Sequence, residues 1–336
     1  MTGAHIAAIE YYLPARVITN AELDAQHPQW QMGQVALRSG VERRHWCGAD
    51  ETALDLAEGA CRRLAERSGF DLGRAGALIF CTQSPDHVMP PNACLLQSRL
   101  GLPDTIAAFD FTLACSGFVY GLYLAKALIG SGAVEHVLLV TAETYSKWIH
   151  PDDRGPMTLF GDAGAVTLVS AGEPAIGGFL LGTDGHKAGC FMVPAGGARV
   201  LRSAETAALL TDHNANIRSA EHLYMNGLAV LDFVKEKIPS VARGLLEQER
   251  LTMEDLDLVV FHQASQVTLD HLHVALRIPK QKQFVNIACV GNTVSASLPI
   301  ALRDAERQGK LTPGMRLMLV GFGVGLSWGA CILTWK

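Results

Sequence analysis

The same order of apolar strand, helix and apolar strand occurs twice along the chain, and this internal repeat constrains the fold more than any other feature. GALIFCTQS (76–84) resembles DLVVFHQAS (257–265), and both copies continue with a helix and a second apolar strand, HVLLVTAE or RLMLVGFG. Each copy closes with a glycine-rich turn and a last strand. Two similar halves joined face to face would place Cys115 and Asn292 at equivalent helix starts, with His262 after the matching strand of the second half.

Apolar strands alternate with amphipathic helices along the chain, which predicts an α/β architecture. Strands are predicted over residues 77–81, 136–142, 165–170, 256–261, 316–320 and 329–334, and helices over 52–68, 92–100, 117–131, 225–248, 265–276 and 295–308. Residues 183–222 interrupt the repeat and are rich in Gly, Ala, His and Asn, which favours a divergent loop or cap. We therefore expect an N-terminal half over 1–172 that carries Cys115 and a C-terminal half over 173–336 that carries His262 and Asn292.

Composition excludes several functional classes. The chain has 336 residues, of which 49% are hydrophobic and 18% charged, which favours a large core over extensive disorder. A net charge of −5 leaves no electrostatic footprint for nucleic acid. No apolar run reaches the roughly 18 residues that a membrane span needs, and the start lacks the pattern of a secretory signal. A cytoplasmic location is the expectation.

One cysteine differs from the others in its surroundings. The eight cysteines are scattered without metal-ligand spacing, so no metal site is predicted and most should be reduced core thiols. Cys115, however, lies where an apolar run (106–113) breaks at Ala114-Cys115-Ser116-Gly117 and a helical run begins. Unpaired N–H groups at a helix start favour a thiolate, so we expect a lowered thiol pKa and a nucleophilic role.

These residues, together with further motifs in matching order, resemble the ketoacyl-acyl-carrier-protein synthase III branch of the thiolase superfamily. The motifs are Ala114-Cys115-Ser116-Gly117, Asp153-Arg154-Gly155, Phe160-Gly161-Asp162-Ala163-Gly164-Ala165, His262-Gln263-Ala264, Gly291-Asn292-Thr293 and Gly321-Phe322-Gly323 with Ser327-Trp328-Gly329. The resemblance implies the thiolase fold, an internally duplicated, five-layered αβαβα architecture, in a homodimer. It also implies an acyltransferase that transfers an acyl group from acyl-CoA to a cysteine. Decarboxylative condensation with a malonyl thioester, on CoA or on an acyl carrier protein, then gives a 3-oxoacyl product without a further cofactor.

The resemblance assigns Cys115, His262 and Asn292 as the catalytic residues. Acylation needs a soft nucleophile and N–H donors for the tetrahedral oxyanion. The matching donors are the backbone N–H groups of Cys115 and Val324. Val324 stands where the family usually has glycine, so its φ must be negative. Decarboxylation develops enolate charge, which His262 and Asn292 would stabilise as hydrogen-bond donors.

The resemblance also implies substrate- and CoA-binding residues, namely Trp30, Met89, Arg38, Arg154, Phe160, Met225 and Ser265. In the family a Trp and an Arg sandwich the adenine and a second Arg meets a phosphate; the matching residues are Trp30, Arg38 and Arg154, although Trp30 or Arg38 could instead be a solvated surface residue. Met89 would cross the dimer to line the partner's acyl tunnel. An aromatic residue is common there, so the thinner methionine predicts a longer or branched acyl primer.

Four positions depart from the family's usual residues: Ser265, Val267, Leu228 and Asp232. Ser265 replaces an asparagine that touches the pantetheine arm, and Val267 replaces a basic residue that docks the carrier. Arg277, Lys280 and Lys282 could form a displaced basic patch, or simply a solvated face. These departures favour a specialised paralogue, in fatty-acid, secondary-metabolite or surface-polysaccharide synthesis, over the housekeeping initiator of fatty-acid synthesis.

Three other functions remain to be weighed against condensation. A nicotinamide-dependent oxidoreductase is disfavoured, because the third glycine of its fingerprint would fall at Leu326 and a strand follows. A Cys115-dependent acyltransferase or thioesterase stays the main alternative, although Asn292 argues against it. A non-catalytic subunit of a heterodimer would usually lose part of the catalytic triad, which is intact here. The acyl primer, the carrier of the malonyl donor, the pathway and the role of 183–222 stay open.

Overall fold

The structure is a computed structural model that describes residues 2–336. Within these residues the strands are β1 (Gly3–Tyr12), β2 (Arg16–Thr19), β3 (Arg43–Trp46), β4 (Ala77–Cys81), β5 (Ala107–Phe111), β6 (His136–Glu143), β7 (Ala163–Gly172), β8 (Ile176–Thr183), β9 (Phe191–Met192), β10 (Leu210–Thr211), β11 (Ile217–Arg218), β12 (Tyr224–Met225), β13 (Leu258–Phe261), β14 (Arg316–Gly323) and β15 (Ser327–Thr334). The helices are α1 (Asn20–Gln26), α2 (Met32–Ser39), α3 (Ala53–Ser68), α4 (Asn92–Arg99), α5 (Gly117–Gly130), α6 (Arg154–Met157), α7 (Gly227–Glu249), α8 (Gln266–Ala275), α9 (Ile287–Val290) and α10 (Ser297–Arg307).

Two central sheets share one strand order, which confirms the duplicated fold. The first sheet has the order β1-β7-β6-β4-β5 and the second the order β8-β15-β14-β13. In both sheets a parallel pair, β6 with β4 or β14 with β13, is followed by antiparallel neighbours, and the first sheet has a second parallel pair, β4 with β5. The repeated segments of the sequence thus form β4, β6 and β7 in one half and β13, β14 and β15 in the other.

Helices α5 and α10 form a middle layer between the two sheets. Their apolar faces share one buried cluster with Val137 and Leu139 of β6 and with Leu317 and Leu319 of β14. The alternate residues of these strands point outwards. Leu138 of β6 packs in the cluster under α3 and α4, whereas the outward residues of β14 pack in the cluster under α7 and α8. Both faces of each strand are therefore buried, which explains why the strands are continuously apolar. The result is the predicted αβαβα order of five layers.

All twelve predicted strands and helices exist, and their ends differ from the predicted ends by at most three residues. Of the strands in the two central sheets, the sequence missed β1 and β8, which are the matching outermost strands on one side of each sheet, and it also missed the short strands β2, β3 and β9 to β12 outside those sheets. Three glycines weaken the strand pattern of β8. One of them, Gly182, lies beneath the ring of Trp328, where a Cβ atom would overlap the indole. The sequence of β8 lacks a clear strand pattern because packing against Trp328 requires glycine at position 182, although glycine has a low strand propensity.

Residues 184–226 connect β8 to α7 and contain two small sheets, β10 with β11 and β9 with β12. The segment packs on the loop before Arg154. Arg218 lies between Asp153 and Asp212, at 3.1 and 3.0 Å, and the backbone N–H of Leu223 donates to the carbonyl of Trp148 at 2.8 Å. The divergent segment is therefore ordered against the first half, and its role stays a prediction.

The described residues contain no helix that combines the length and the apolar character needed to cross a bilayer. The cytoplasmic location stays a prediction.

A buried carboxylate ties the N-terminal strand to two helix layers. Glu10 of β1 is 2% exposed and contacts Arg67 of α3 at 2.5 Å and Arg303 and Arg307 of α10 at 2.8 Å. Arg303 is mostly buried, whereas Arg67 and Arg307 are more than a third exposed, so loss of the acid would leave one largely desolvated guanidinium with Glu306 as its remaining partner. Glu10 therefore locks the outer strand of the first sheet to the outer and middle helices.

We expect Glu10→Gln to lower the free energy of unfolding by about 2 kcal/mol, because the mostly buried Arg303 keeps its charge and loses one of its two carboxylate partners. Chemical denaturation monitored by circular dichroism measures the change. Glu306→Gln is the matched control, since Glu306 contacts the same Arg303 at 2.6 Å but is about a third exposed, and its loss should cost less than about 1 kcal/mol. Equal losses in the two variants would contradict a special role for Glu10.

Candidate active site

Cys115 lies in the turn between β5 and α5 and is 3% exposed. The turn is narrow because small residues surround the thiol. A Cβ atom on Gly117, the first residue of α5, would overlap the sulfur of Cys81 at the end of β4. The thiol of Cys115 thus lies at the start of the middle-layer helix, as the sequence predicts.

The end of β14, from the second half of the chain, packs directly on this turn. A Cβ atom on Gly321 would lie 2.6 Å from the carbonyl oxygen of Cys115, and one on Gly323 would lie 2.8 Å from its Sγ. Real Cβ atoms do not approach other heavy atoms so closely, so only glycine allows this contact at either position. The two glycines of the Gly321-Phe322-Gly323 motif therefore bring the second sheet against the sulfur.

Two backbone N–H groups, those of Cys115 and Val324, lie near enough to the Cys115 sulfur to lower the pKa of the thiol. The backbone of Val324 does not have a positive φ, so valine can replace the glycine that the family usually has at this position. A pair of buried hydroxyls fixes the turn. Ser327 Oγ donates to the Val324 carbonyl at 2.7 Å and lies 2.7 Å from Ser116 Oγ, the neighbour of the nucleophile. Both serines belong to motifs that carry the family resemblance, but no role was predicted for either.

The expectation of a lowered thiol pKa is wrong. Burial and the nearby carboxylate of Glu143 raise the pKa of Cys115 above its usual value, and the N–H groups of Cys115 and Val324 offset this only in part. The sequence showed the helix start but not the loss of hydration at a sulfur that is 3% exposed. The thiol is therefore protonated at neutral pH.

His262 follows β13 and is 1% exposed. Its Nδ1 lies 3.1 Å from Ser297 Oγ, which also accepts the backbone N–H of Gln263 at 2.8 Å. The ring meets Phe322, the residue between the two glycines, edge-on at a centroid distance of 5.5 Å. Burial lowers the pKa of His262 to about 3, so the imidazole is neutral at physiological pH.

Asn292 is held by backbone hydrogen bonds to the segment that carries Phe160. Its N–H donates to the Leu159 carbonyl at 2.9 Å, and its carbonyl accepts from Gly161 at 3.0 Å. The side-chain Oδ1 accepts from the N–H of Val294 at 3.0 Å, and Nδ2 lies 3.4 Å from the carbonyl of Ala264. Because Ala264 is two residues beyond His262, the two predicted donors share one wall of the site.

A buried acid and a buried tyrosine next to the thiol were missed in the sequence. Glu143, the last residue of β6, is fully buried, and burial raises its pKa to about 7. Tyr145 donates its hydroxyl to Gln83 Oε1 at 2.5 Å and packs on Phe160, which contacts Phe191 in turn. The only sequence signal for Glu143 was an acidic residue at the end of an apolar strand.

Three residues are predicted to bind the nucleotide part of CoA: Arg38 and Arg154 are accessible, whereas Trp30 is buried. Trp30 is 5% exposed and stacks on His27 at 3.9 Å, so the alternative that Trp30 is a solvated surface residue is wrong. Adenine binding by Trp30 stays a prediction. Arg38 is exposed at the end of α2, and Arg154 is half-buried at the start of α6.

The remaining predicted binding residues occupy different settings. Met89 is 78% exposed, whereas Phe160 is buried beside Asn292. Met225 lies in β12 opposite Phe191, and not in the predicted helix. The long helix α7 begins two residues later than predicted, after its cap Asn226. Ser265 caps α8 by accepting the N–H of Thr268. Their roles in binding stay predictions.

Two of the four residues that depart from the family pattern are exposed apolar side chains. Leu228 is 77% and Val267 39% exposed. Lys282, a member of the suggested basic patch, donates to the carbonyl of Glu254 at 2.9 Å. In the part of the chain that the structure describes, no three His, Cys, Asp or Glu side chains are grouped so that they could hold a metal ion.

Comparisons with known proteins match the chain over almost its entire length. The family profile of 3-oxoacyl-(acyl-carrier-protein) synthase III matches residues 109–185, and the profile of its C-terminal part matches residues 246–335. A beta-ketoacyl-acyl-carrier-protein synthase III of Clostridioides difficile is 35% identical over 99% of both chains, and one of Streptomyces coelicolor is 36% identical over 96% of this chain and 94% of that relative. A crystal structure of a 3-oxoacyl-(acyl-carrier-protein) synthase III superposes with a TM-score of 0.98 at 43% identity, covering 99% of this chain and 100% of the other.

We expect Gly323→Ala to abolish covalent acylation of Cys115 while the chain still folds. The backbone of Gly323 does not have a positive φ, so alanine is conformationally allowed, but its Cβ would lie 2.8 Å from the sulfur. Intact-protein mass spectrometry after exposure to acyl-CoA measures the loss, and circular dichroism checks the fold. Gly130→Ala, with no atom within 4 Å of the new methyl group, is the matched control and should acylate normally. Normal acylation of Gly323→Ala would contradict the packing of β14 on the thiol.

Proposed function

The chain belongs to the 3-oxoacyl-acyl-carrier-protein synthase III family of condensing enzymes, and from this membership we propose how its own residues divide the reaction. An enzyme of this kind takes up an acyl group as a thioester on a cysteine. It then condenses that group with a malonyl thioester, with loss of CO2, to give a 3-oxoacyl product. The two halves of the duplicated fold supply different parts of this chemistry.

In the first step, Cys115 attacks the thioester carbonyl of an acyl-CoA. The N–H groups of Cys115 and Val324, which lie beside the sulfur, stabilise the negative charge on the tetrahedral oxygen. Because the thiol is protonated at neutral pH, its proton must leave as the carbon–sulfur bond forms. The departing CoA thiolate takes up one proton, so the step yields acyl-enzyme and free CoA without net charge.

In the second step, His262 and Asn292 donate hydrogen bonds to the malonyl thioester carbonyl as CO2 leaves. Ser297 already accepts the N–H of Gln263, so its hydroxyl proton is free for Nδ1 of His262. The opposite nitrogen, Nε2, then carries the proton and faces the substrate. The enolate attacks the acyl group on Cys115, and the released thiolate is protonated again. The observation that carries this proposal is a pair of neutral buried donors, from the second half, beside a thiol from the first.

The main alternative, transfer of the acyl group to water or an alcohol, fits the site less well. Such a reaction needs a general base with a pKa near the working pH. His262 has a pKa of about 3 and is a poor base at neutral pH. The neutral imidazole, as a hydrogen-bond donor, is instead suited to stabilising an enolate. No step of the proposed reaction needs a cofactor beyond the two substrates.

We also propose that the enzyme works as a homodimer through β5. This strand ends the first sheet, and Phe109 on it is 36% exposed. The neighbouring loop exposes Val88 at 95% and Met89 at 78%, and it is anchored to β5 because Asp110 accepts the N–H groups at the start of α4. An unpaired apolar edge strand needs to be covered. A second copy placed there would bring Met89 towards the partner's acyl tunnel.

The primer follows from the same arrangement. Methionine is thinner and more adaptable than the aromatic residue common at this position, so the tunnel should accept a longer or branched acyl group. Arg38 and Arg154 are accessible cations that suit the phosphates of CoA. The exposed apolar residues Val267 and Leu228, at positions where the family usually has a basic residue and an asparagine, support a specialised paralogue that serves a different carrier or CoA ester.

We expect His262→Ala and Asn292→Ala to slow malonyl decarboxylation about 100-fold, since each removes a donor worth roughly 3 kcal/mol in the transition state. Self-acylation should change only a few-fold, because it depends on Cys115 and the backbone donors. The assays are CO2 release from malonyl-CoA on pre-acylated enzyme and intact-protein mass spectrometry, with Cys115→Ala as the acylation-null control. Decarboxylation at the wild-type rate in both variants would favour the acyltransferase alternative.

We expect Met89→Phe to shift acyl-CoA preference towards short primers such as acetyl. Each methylene excluded from an apolar tunnel is worth about 0.8 kcal/mol, so two or three should change selectivity tenfold or more. Competition between acyl-CoAs of increasing length, scored by the mass added to Cys115, measures the shift. Val88→Phe, on the adjacent exposed residue, is the matched control. An unchanged profile in Met89→Phe would mean that another segment limits the tunnel.

A further inference from the structure

Glu143 connects the two halves of the chain directly beneath the active site. Its carboxylate accepts the N–H of Gln83 at 2.9 Å and the hydroxyl of Ser84 at 3.1 Å, both from the loop after β4. The other carboxylate oxygen accepts the hydroxyl of Ser295 at 2.9 Å, from the 3-10 turn Val294–Ala296 that follows Asn292. Ser295 is thus the contact through which the first half holds the turn after the catalytic asparagine.

This acid has no counter-charge. None of the ion pairs formed within residues 2–336 involves Glu143, although its side chain is fully buried. Burying a carboxylate without a cation costs free energy, and an apolar residue at the end of β6 would avoid that cost. Stability alone therefore does not explain why a carboxylate occupies this position.

The turn that Glu143 holds is itself unusual. Val294 has a φ of +54°, a conformation that a β-branched residue rarely adopts. In this conformation its N–H donates to Asn292 Oδ1 at 3.0 Å. With Oδ1 turned towards Val294 and one Nδ2 hydrogen directed at the Ala264 carbonyl, the second Nδ2 hydrogen is left for a substrate. The turn therefore fixes which end of the asparagine faces the malonyl group.

We propose that Glu143 is a positioning residue for decarboxylation: through Ser295 its carboxylate holds the Val294 turn in the conformation that aims Asn292 Nδ2 at the malonyl carbonyl. The inference rests on the proposed role of Asn292 as an enolate donor. Both oxygens of an ionised carboxylate accept hydrogen bonds, whereas a protonated one loses an acceptor site. The ionised acid is therefore the form that holds the turn completely.

The ionisation of Glu143 adds a pH signature to the geometry. Burial raises the pKa of Glu143 to about 7. The titratable groups that face it are Cys81 of β4, Cys115 and Tyr145, and burial raises the pKa of each, so all three stay neutral around pH 7. His262 is neutral there as well. Decarboxylation should accordingly fall as the pH drops through 7 and Glu143 takes up a proton.

The test compares Glu143→Gln and Ser295→Ala with Ser84→Ala, which removes an equivalent hydroxyl from the same carboxylate on the side away from Asn292. CO2 release from malonyl-CoA is measured on pre-acylated enzyme between pH 6 and 8.5, and self-acylation is measured by intact-protein mass spectrometry. Glu143→Gln and Ser295→Ala should decarboxylate at least tenfold more slowly, with self-acylation unchanged or faster. Ser84→Ala should stay within about threefold of wild type, and Glu143→Gln should lose the decline below pH 7.

Three results would overturn the inference. The first is equal loss of decarboxylation in Ser84→Ala and Ser295→Ala, which would mean that the hydroxyls only stabilise the carboxylate. The second is wild-type decarboxylation, with the same decline below pH 7, in Glu143→Gln. If Glu143→Gln does not fold, the decarboxylation rate of Ser295→Ala decides the question, because that variant keeps the carboxylate of Glu143. The third is wild-type decarboxylation in Asn292→Ala, which removes the proposed function itself, whereas the first two leave that function intact.

Discussion

The contact between the end of β14 and the turn that carries Cys115 is the constraint on which the rest of the site depends. Gly321 and Gly323 let a strand of the second half lie against the nucleophile of the first half, closer than any side chain would allow. Once this contact is made, the N–H of Val324 falls beside the sulfur, and Phe322 lies against His262. A duplicated fold becomes one active site because two glycines remove the atoms that would keep the halves apart.

Burial shifts the pKa values of neighbouring groups in the active site in opposite directions. Loss of hydration raises the pKa of Cys115 and lowers that of His262 to about 3, so both are uncharged at neutral pH. Charge develops there only during reaction, on an oxyanion or an enolate, where donors fixed in advance stabilise it best. Glu143 is the exception, since its pKa of about 7 leaves it partly ionised under physiological conditions. An acid in that state links the geometry of the site to pH.

The two halves kept their strands and diverged in the segments around them. Cys115 and Asn292 precede equivalent helices of the middle layer, α5 and α10, but one residue offers a nucleophile and the other a donor. The second half carries the additional segment 184–226, which is fastened to the first half by the pairing of Arg218 with Asp153. Duplication thus supplied a symmetric frame, and the chemistry came from different residues at matching places.

The sequence by itself determined the repeat, twelve of the strands and helices, and the identity of Cys115, His262 and Asn292 as candidates, because periodicity and motif order are local properties of the chain. It did not reveal β1 or β8, whose residues are selected by neighbours such as Trp328. The tertiary structure alone decided the raised pKa of Cys115, the burial of Trp30 on His27 and the reach of Glu143 to Ser295. Each of these depends on hydration lost, or on hydrogen bonds made, between residues far apart in the chain. Such quantities exist only after the two sheets have closed on the middle helices.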